Sequence, residues 1–264
     1  MLINPINLDY TSTYTEDVLY SNYPVSKIKK YEEWSERFKE KHQWIKKEEM
    51  NSFNFRSENF INNHKNFHVL FTGCSQTFGT GLLEEELWTK NLYTLLNNKK
   101  QCSGYFNLAT PGASIGHMIV NIFKYCKNFG NPDVIFINLP DTCRIYSYDK
   151  DKKIMQDGRG SGEYTDFFNV ISYQYYFMLE QYCNQNNIRL FSFSWHMETN
   201  KLMSNYFKNF TNISENDTIN YMMKKYKGHY KNFIRARDKA HAGVGFNSYW
   251  TERMYDEFIK QNSA

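Results

Sequence analysis

From about residue 67 onward, the apolar positions of this chain alternate between two rhythms. Four short runs are each closed by glycine, proline or a polar cluster: His68–Thr72, Tyr105–Ala109, Val134–Leu139 and Ile188–Trp195. Runs of this length that are apolar throughout predict strands buried on both faces. Between them the apolar residues recur at helical spacing. Trp88, Leu92, Leu95 and Leu96 mark a helix over Glu84–Asn98. Ile115, Met118, Ile119, Ile122, Phe123 and Cys126 mark another over Ser114–Phe129, with Ser114 placed to cap it. A long aromatic helix is predicted over Asp166–Asn187 and a closing helix over Tyr249–Gln261. Strands alternating with helices of this length predict βαβ units, and hence an α/β fold around a central parallel sheet.

The first 50 residues lack this regularity and read as an N-terminal extension, with a domain over 51–264. Within the extension, Ser26–Met50 interleaves Lys and Glu around Tyr31, Trp34, Phe38 and Trp44. Trp34 and Phe38 are four apart, which predicts an amphipathic helix docked by its aromatic stripe. The chain has 264 residues, ample for a buried core. Its net charge of +4 comes from 32 basic and 28 acidic residues mixed through the same segments, which argues against nucleic acid as a partner. No apolar run approaches a membrane span. The N-terminus shows no basic start followed by an apolar stretch, so a cytoplasmic location is expected, or association with a virion for a viral protein. The five cysteines form no CxxC pair, so neither a disulfide framework nor a structural zinc site is expected. The 21 Tyr, 21 Phe and 30 Asn fit the codon bias of an AT-rich bacterial or viral genome; the alternative is a sugar-stacking surface. Three Asn-x-Ser/Thr sequences, at Asn209, Asn212 and Asn216, read as polar loop.

In open parallel sheets, chemistry collects beyond the carboxyl ends of the strands. After the first predicted strand comes Gly73-Cys74-Ser75-Gln76-Thr77-Phe78-Gly79, and after the second Thr110-Pro111-Gly112-Ala113-Ser114. The third is followed by Pro140-Asp141 and the fourth ends at Trp195-His196; Asp238-Lys239-Ala240-His241 precedes the last helix. These groups permit acyl transfer. A serine hydroxyl becomes a nucleophile when a base removes its proton and a carboxylate fixes that base in one tautomer. Asp238 and His241, three apart, can supply the pair, and Ser75 sits on a glycine-flanked strand-to-helix turn. Its own N–H and that of Gly112 can form an oxyanion hole. Each piece alone has a commoner explanation: a helix cap, a surface hydrogen bond, a turn. Their conjunction at strand ends is the signal. The glycine-rich Gly73–Gly81 lacks the Lys-Ser/Thr of a phosphate-binding loop, and no GxGxxG follows a strand. An α/β-hydrolase elbow needs glycine where Thr77 stands. Cys74 reads as a small buried residue rather than a thiol nucleophile.

Together these residues resemble the SGNH (GDSL-like) hydrolase superfamily. Gly73–Gly79 is similar to its first block, GDSxxxG, with Cys74 in place of Asp, and Gly73–Leu82 fits the subset carrying G-C-S-x-T-x-G-x-G-L. Gly112 corresponds to the second-block glycine, and Asp238–His241 to the closing DxxH. Asn51–Ser57 (NSFNFRS) resembles an N-x-x-G-F-R-S lead-in, with Asn54 at the glycine. Asparagine is the next-best residue for left-handed backbone. The resemblance spans roughly 51–262. It implies a three-layer α/β/α, flavodoxin-like fold and a serine esterase or acylhydrolase with Ser75 as nucleophile, His241 as base and Asp238 as orienting acid.

The departure lies in the third block, where Pro140 stands at the family's oxyanion asparagine. Asn138 is then the candidate third donor, and Arg144, Trp195 and His196 are candidates for the pocket lining. Losing one such donor costs about 3–4 kcal/mol of transition-state stabilisation. The expected partner is a small acyl ester or an acylated glycan, and no metal or cofactor is called for. Two alternatives stay open: a catalytically degenerate domain that binds glycans or serves structurally, and an O-acyltransferase using the same triad.

Overall fold

In the computed structural model, residues 45–149, 154–159, 165–227, 233–236 and 240–263 are described. Residues 26–44 of the expected amphipathic helix, and Asp238, lie outside them. Four parallel strands form the central sheet: β1 (Val69–Gly73), β2 (Phe106–Asn107), β3 (Val134–Leu139) and β6 (Arg189–Ser194), in the order β2-β1-β3-β6. The expected strands are all present, with β2 shorter than its apolar run.

Alternation along each strand divides the core in two. Leu70, Ile135, Ile137, Leu139 and Leu190 face one side, and Val69, Phe71, Val134, Phe136, Phe191 and Phe193 face the other. The first side is covered by α3 (Ile115–Phe129) and α4 (Thr165–Gln185), through Ile119, Ile122, Tyr176 and Leu179. The second is covered by α2 (Trp88–Lys100) and α7 (Val244–Ser263), through Trp88, Leu92, Trp250 and Met254. The result is a three-layer α/β/α arrangement. Across the second face Phe71, Phe136 and Phe191 occupy matched register on three adjacent strands and stack, with ring centroids 5.6 and 5.1 Å apart. Offset rings at this spacing add to the stabilisation that burial already provides.

Ser114 caps α3, its hydroxyl accepting from His117 N at 3.2 Å. Three features were not anticipated. A hairpin of β4 (Arg144–Asp149) and β5 (Ile154–Arg159) follows β3. Two further helices, α5 (Met197–Tyr206) and α6 (Glu215–Tyr226), follow β6. The closing helix starts at Val244, five residues earlier than its apolar pattern predicts. Asn216 lies in α6 rather than in a loop, while Asn212 Oδ1 accepts from Asn200 Nδ2 at 2.7 Å. Near the other end, Lys47–Glu49 is a single 3₁₀ turn, and Ile45 is buried against the domain with Phe78 and Ala109. No helix among the described residues is long and apolar enough to cross a membrane.

Candidate active site

The strand order runs outward in both directions from β1 and β3, so the crossovers leave the sheet on opposite faces at this point and open a crevice above the carboxyl ends. β1 ends at Gly73, Cys74 follows in extended conformation, and the one-turn helix α1 (Ser75–Phe78) begins at once. The reversal is tight enough that a Cβ on Gly73 would lie 2.0 Å from Thr77 Oγ1. It closes at Gly79, whose φ of 82° is left-handed and whose added Cβ would lie 1.9 Å from Leu87 Cδ2. Both glycines answer to geometry that a side chain forbids.

The loop beyond is held from below by Arg56, which is fully buried. Its Nη1 donates to the carbonyls of Phe78, Gly79 and Leu82 at 3.1–3.2 Å, and its Nη2 lies 2.7 Å from Glu49 Oε2. Arg56 is itself set by the turn before it. There Asn54 adopts φ 61°, and Asn51 Oδ1 accepts from Phe53 N and Phe55 N at 3.0 Å. The left-handed backbone expected at Asn54 is present.

His241 reaches Ser75 from the far end of the chain. Its Nε2 lies 2.9 Å from Ser75 Oγ, a contact spanning 166 positions. The histidine segment is pinned by an antiparallel bridge between Arg235 and Ala242, with Ala236 N donating to His241 O at 3.0 Å and Gly243 N to Ile234 O at 2.8 Å. Gly243 has no room for a Cβ, which would meet Phe233 O at 2.5 Å. Gln76 joins the two loops directly, its Oε1 accepting from Ala242 N at 3.0 Å. Gln76 was not among the expected site residues; its only signal in the sequence is adjacency to Ser75.

The second loop rises from β2. Leu108 N donates to Phe71 O at 2.8 Å and Thr110 N to Gly73 O at 3.1 Å, which ties its start to the end of β1. Thr110–Ala113 then forms a turn, with Ala113 N bonded to Thr110 O at 3.1 Å, Pro111 second and Gly112 third at φ 85°. This is the type II pattern. Among the described residues, the amide N–H groups of Ser75 and Gly112 have no protein acceptor.

Asn138 is fully buried and pairs in register with Gly73. Its Oδ1 accepts from Trp195 N at 3.0 Å, and its Nδ2 has no partner among the described residues. The carboxamide therefore fixes the backbone where β6 ends. Arg144 Nε lies 3.0 Å from Asp141 Oδ2, and its guanidinium carbon sits 5.9 Å from the Trp195 ring. His196 turns away to start α5, with Nδ1 3.2 Å from Thr199 Oγ1. Cys74 is fully buried in the core beneath the turn.

A cavity of about 370 Å³ opens beside the Ser75–His241 pair, within the range of small-molecule sites. Of the expected residues, Ser75, His241, Arg144 and Trp195 line it; Gly112, Asn138 and His196 do not. For Asn138 the reason is its bond to Trp195 N, and for His196 its place at the head of α5. Phe246, Trp250 and Arg235 also line the cavity, and among the described residues no tyrosine does. Among the described residues no three His, Cys, Asp or Glu side chains converge as a metal would require.

No family model matches the chain, and no curated protein matches it. One solved structure similar to it is the psychrotrophic esterase EstA from Pseudoalteromonas sp., in a form inhibited by monoethylphosphonate. It is 14% identical, with 74% of this chain and 98% of that chain covered, at a TM-score of 0.47.

Proposed function

We propose that the chain is a serine esterase or acylhydrolase of the SGNH kind, acting on a small acyl ester such as an O-acetylated glycan. The observation that carries this reading is the 2.9 Å hydrogen bond between His241 Nε2 and Ser75 Oγ at the head of the crevice. That distance is within the reach a general base needs. His241 takes the Ser75 proton as Oγ attacks the ester carbonyl, and the carbonyl π electrons move onto oxygen. The oxyanion is met by the N–H groups of Ser75 and Gly112, which have no acceptor among the described residues. The tetrahedral intermediate collapses, the C–O bond breaks, and His241 returns the proton to the departing alkoxide. Water then attacks the acyl-enzyme, giving its proton to His241 and finally restoring Ser75–OH and a free acid. Asp238 orients His241 through Nδ1. Asn138 acts on this site through the backbone of Trp195.

Labelling with a fluorophosphonate probe tests the reading. Wild-type protein labels and cleaves 4-nitrophenyl acetate. Ser75→Ala abolishes labelling, and Asp238→Asn lowers kcat by about 10³–10⁴-fold by releasing the tautomer of His241. A wild-type protein that neither labels nor cleaves this ester overturns it.

A second reading, a non-catalytic glycan-binding domain, draws on Pro140, which offers no side-chain donor at the third block. Phe246 and Trp195 would then serve as stacking surfaces. Unlabelled protein that retains sugar affinity would favour it.

A further inference from the structure

The cavity beside Ser75 is lined by two arginines, Arg144 and Arg235, and by no Asp or Glu among the described residues. The two arginines differ in how their charge is met. Arg144 is mostly covered and lies 3.0 Å from Asp141 Oδ2, with Trp195 alongside. Arg235 is exposed, donates one Nη1 hydrogen bond to Ala240 O at 3.1 Å, and forms no ion pair among the described residues. Arg235 is also placed by the same antiparallel bridge that fixes the histidine segment, since it pairs with Ala242. The remaining walls are largely apolar or aromatic: Trp195, Ile213, Phe246 and Trp250. A positive group in such a recess attracts an anion more strongly than one on an open surface, because low-dielectric walls focus the field. A guanidinium fork also matches the paired oxygens of a carboxylate, phosphate or sulfate.

We propose that this cavity binds an ester carrying an anionic group, received by Arg235 with Arg144 behind it. The proposal rests on the esterase reading and narrows its substrate class. Neutral acyl esters, on this account, are poor substitutes for the ester the site is built to hold.

Two matched pairs of esters test it and distinguish which side of the scissile bond carries the charge. The first pair is 4-nitrophenyl butyrate against 4-nitrophenyl hydrogen succinate, which places the anion on the acyl side. The second is phenyl acetate against 4-acetoxybenzoate, which places it on the alcohol side. In one pair the charged ester has the higher kcat/KM, by about tenfold at low ionic strength, and the advantage shrinks as salt rises. Arg235→Gln brings the charged-to-neutral ratio toward one, mainly through KM, while Arg235→Lys keeps part of it. Equal ratios in wild type and Arg235→Gln, or no salt dependence in wild type, overturn the proposal and leave the esterase reading standing. If no ester is cleaved, Ser75→Ala protein is titrated with 4-acetoxybenzoate and phenyl acetate, following tryptophan fluorescence. Salt-sensitive binding of the charged compound alone supports the anion site without the enzyme, and equal or absent binding of both overturns it.

Discussion

At the scale of single residues, the site depends on a hydrogen bond that no local pattern announces. Gln76 Oε1 holds Ala242 N at 3.0 Å, next to the histidine that meets Ser75. Gln76→Leu leaves that N–H without its acceptor and frees the histidine segment from the Ser75 turn. Losing such a bond costs about 1–2 kcal/mol. The expected result is a fluorophosphonate labelling rate about tenfold lower, with the melting temperature shifted by only a few degrees; an unchanged labelling rate would remove Gln76 from any positioning role. Ser75 and His241 were legible in the sequence because each sits in a short, glycine-marked or DxxH context. Gln76 was not, because its role depends on a partner 166 positions away. Asn138 was legible only as a nearby amide. What it does is set by Trp195 N, a partner that enters only when β6 pairs beside β3.

At the scale of elements, the turn Asn51–Arg56 supports the loop after α1. Arg56, itself fully buried, gathers three carbonyls and the partly buried Glu49. Arg56→Leu strands the Glu49 carboxylate and those carbonyls, at a cost of about 3–5 kcal/mol, and Arg56→Lys recovers little because an ammonium lacks the fork. Urea unfolding measures both; a loss below about 1 kcal/mol for Arg56→Leu would sink this account. Asn54, at φ 61°, tolerates glycine with no loss, whereas Asn54→Val costs about 1–2 kcal/mol through backbone strain alone. The strands and the helices over α2, α3 and α4 were readable because their burial is periodic. The start of α7 was not, because Gly243 and Gly245 look like loop residues. Both are there for close approach: an added Cβ on Gly245 would lie 2.3 Å from Met222 Sδ of α6. The β4–β5 hairpin was not anticipated because its two runs, RIYSYD and IMQDGR, are short and mix apolar with polar residues; they pair antiparallel from Arg144 with Arg159 to Asp149 with Ile154.

At the scale of the whole molecule, the sheet carries the Ser75–His241 pair at one end and, just ahead of β1 at the other, a buried His68 with a half-buried His64 against it. His64 and His68 stack with ring centroids 3.4 Å apart, and His68 Nε2 lies 2.8 Å from Tyr125 OH. His64 Nε2 meets Phe129 O at 3.1 Å, while Asp133 Oδ2 accepts from the His68 amide at 2.7 Å rather than from its ring. Burial pushes His68 down to about 3, helped by the neighbouring His64, and burial also lowers His64. The unfolded chain therefore takes up protons near pH 6.5 that the folded chain refuses. Stability supplied by the neutral pair is complete above that pH and is lost as pH falls from about 6.5 toward about 3. The slope approaches about 1.4 kcal/mol per pH unit for each proton refused. Urea unfolding at pH 7, 6 and 5 should show wild type losing stability faster than His68→Gln. That variant starts less stable at pH 7, because Tyr125 loses its imidazole partner, and the two curves converge on acidification. Common carboxylates titrate in both proteins and cancel in the difference, so parallel curves would mean that the histidine pair is not what makes this fold acid-sensitive. The Ser75–His241 end lies across the sheet from this pair. Loss of the proposed activity that tracks the unfolding curve below pH 6 would therefore report the fold rather than the Ser75–His241 pair.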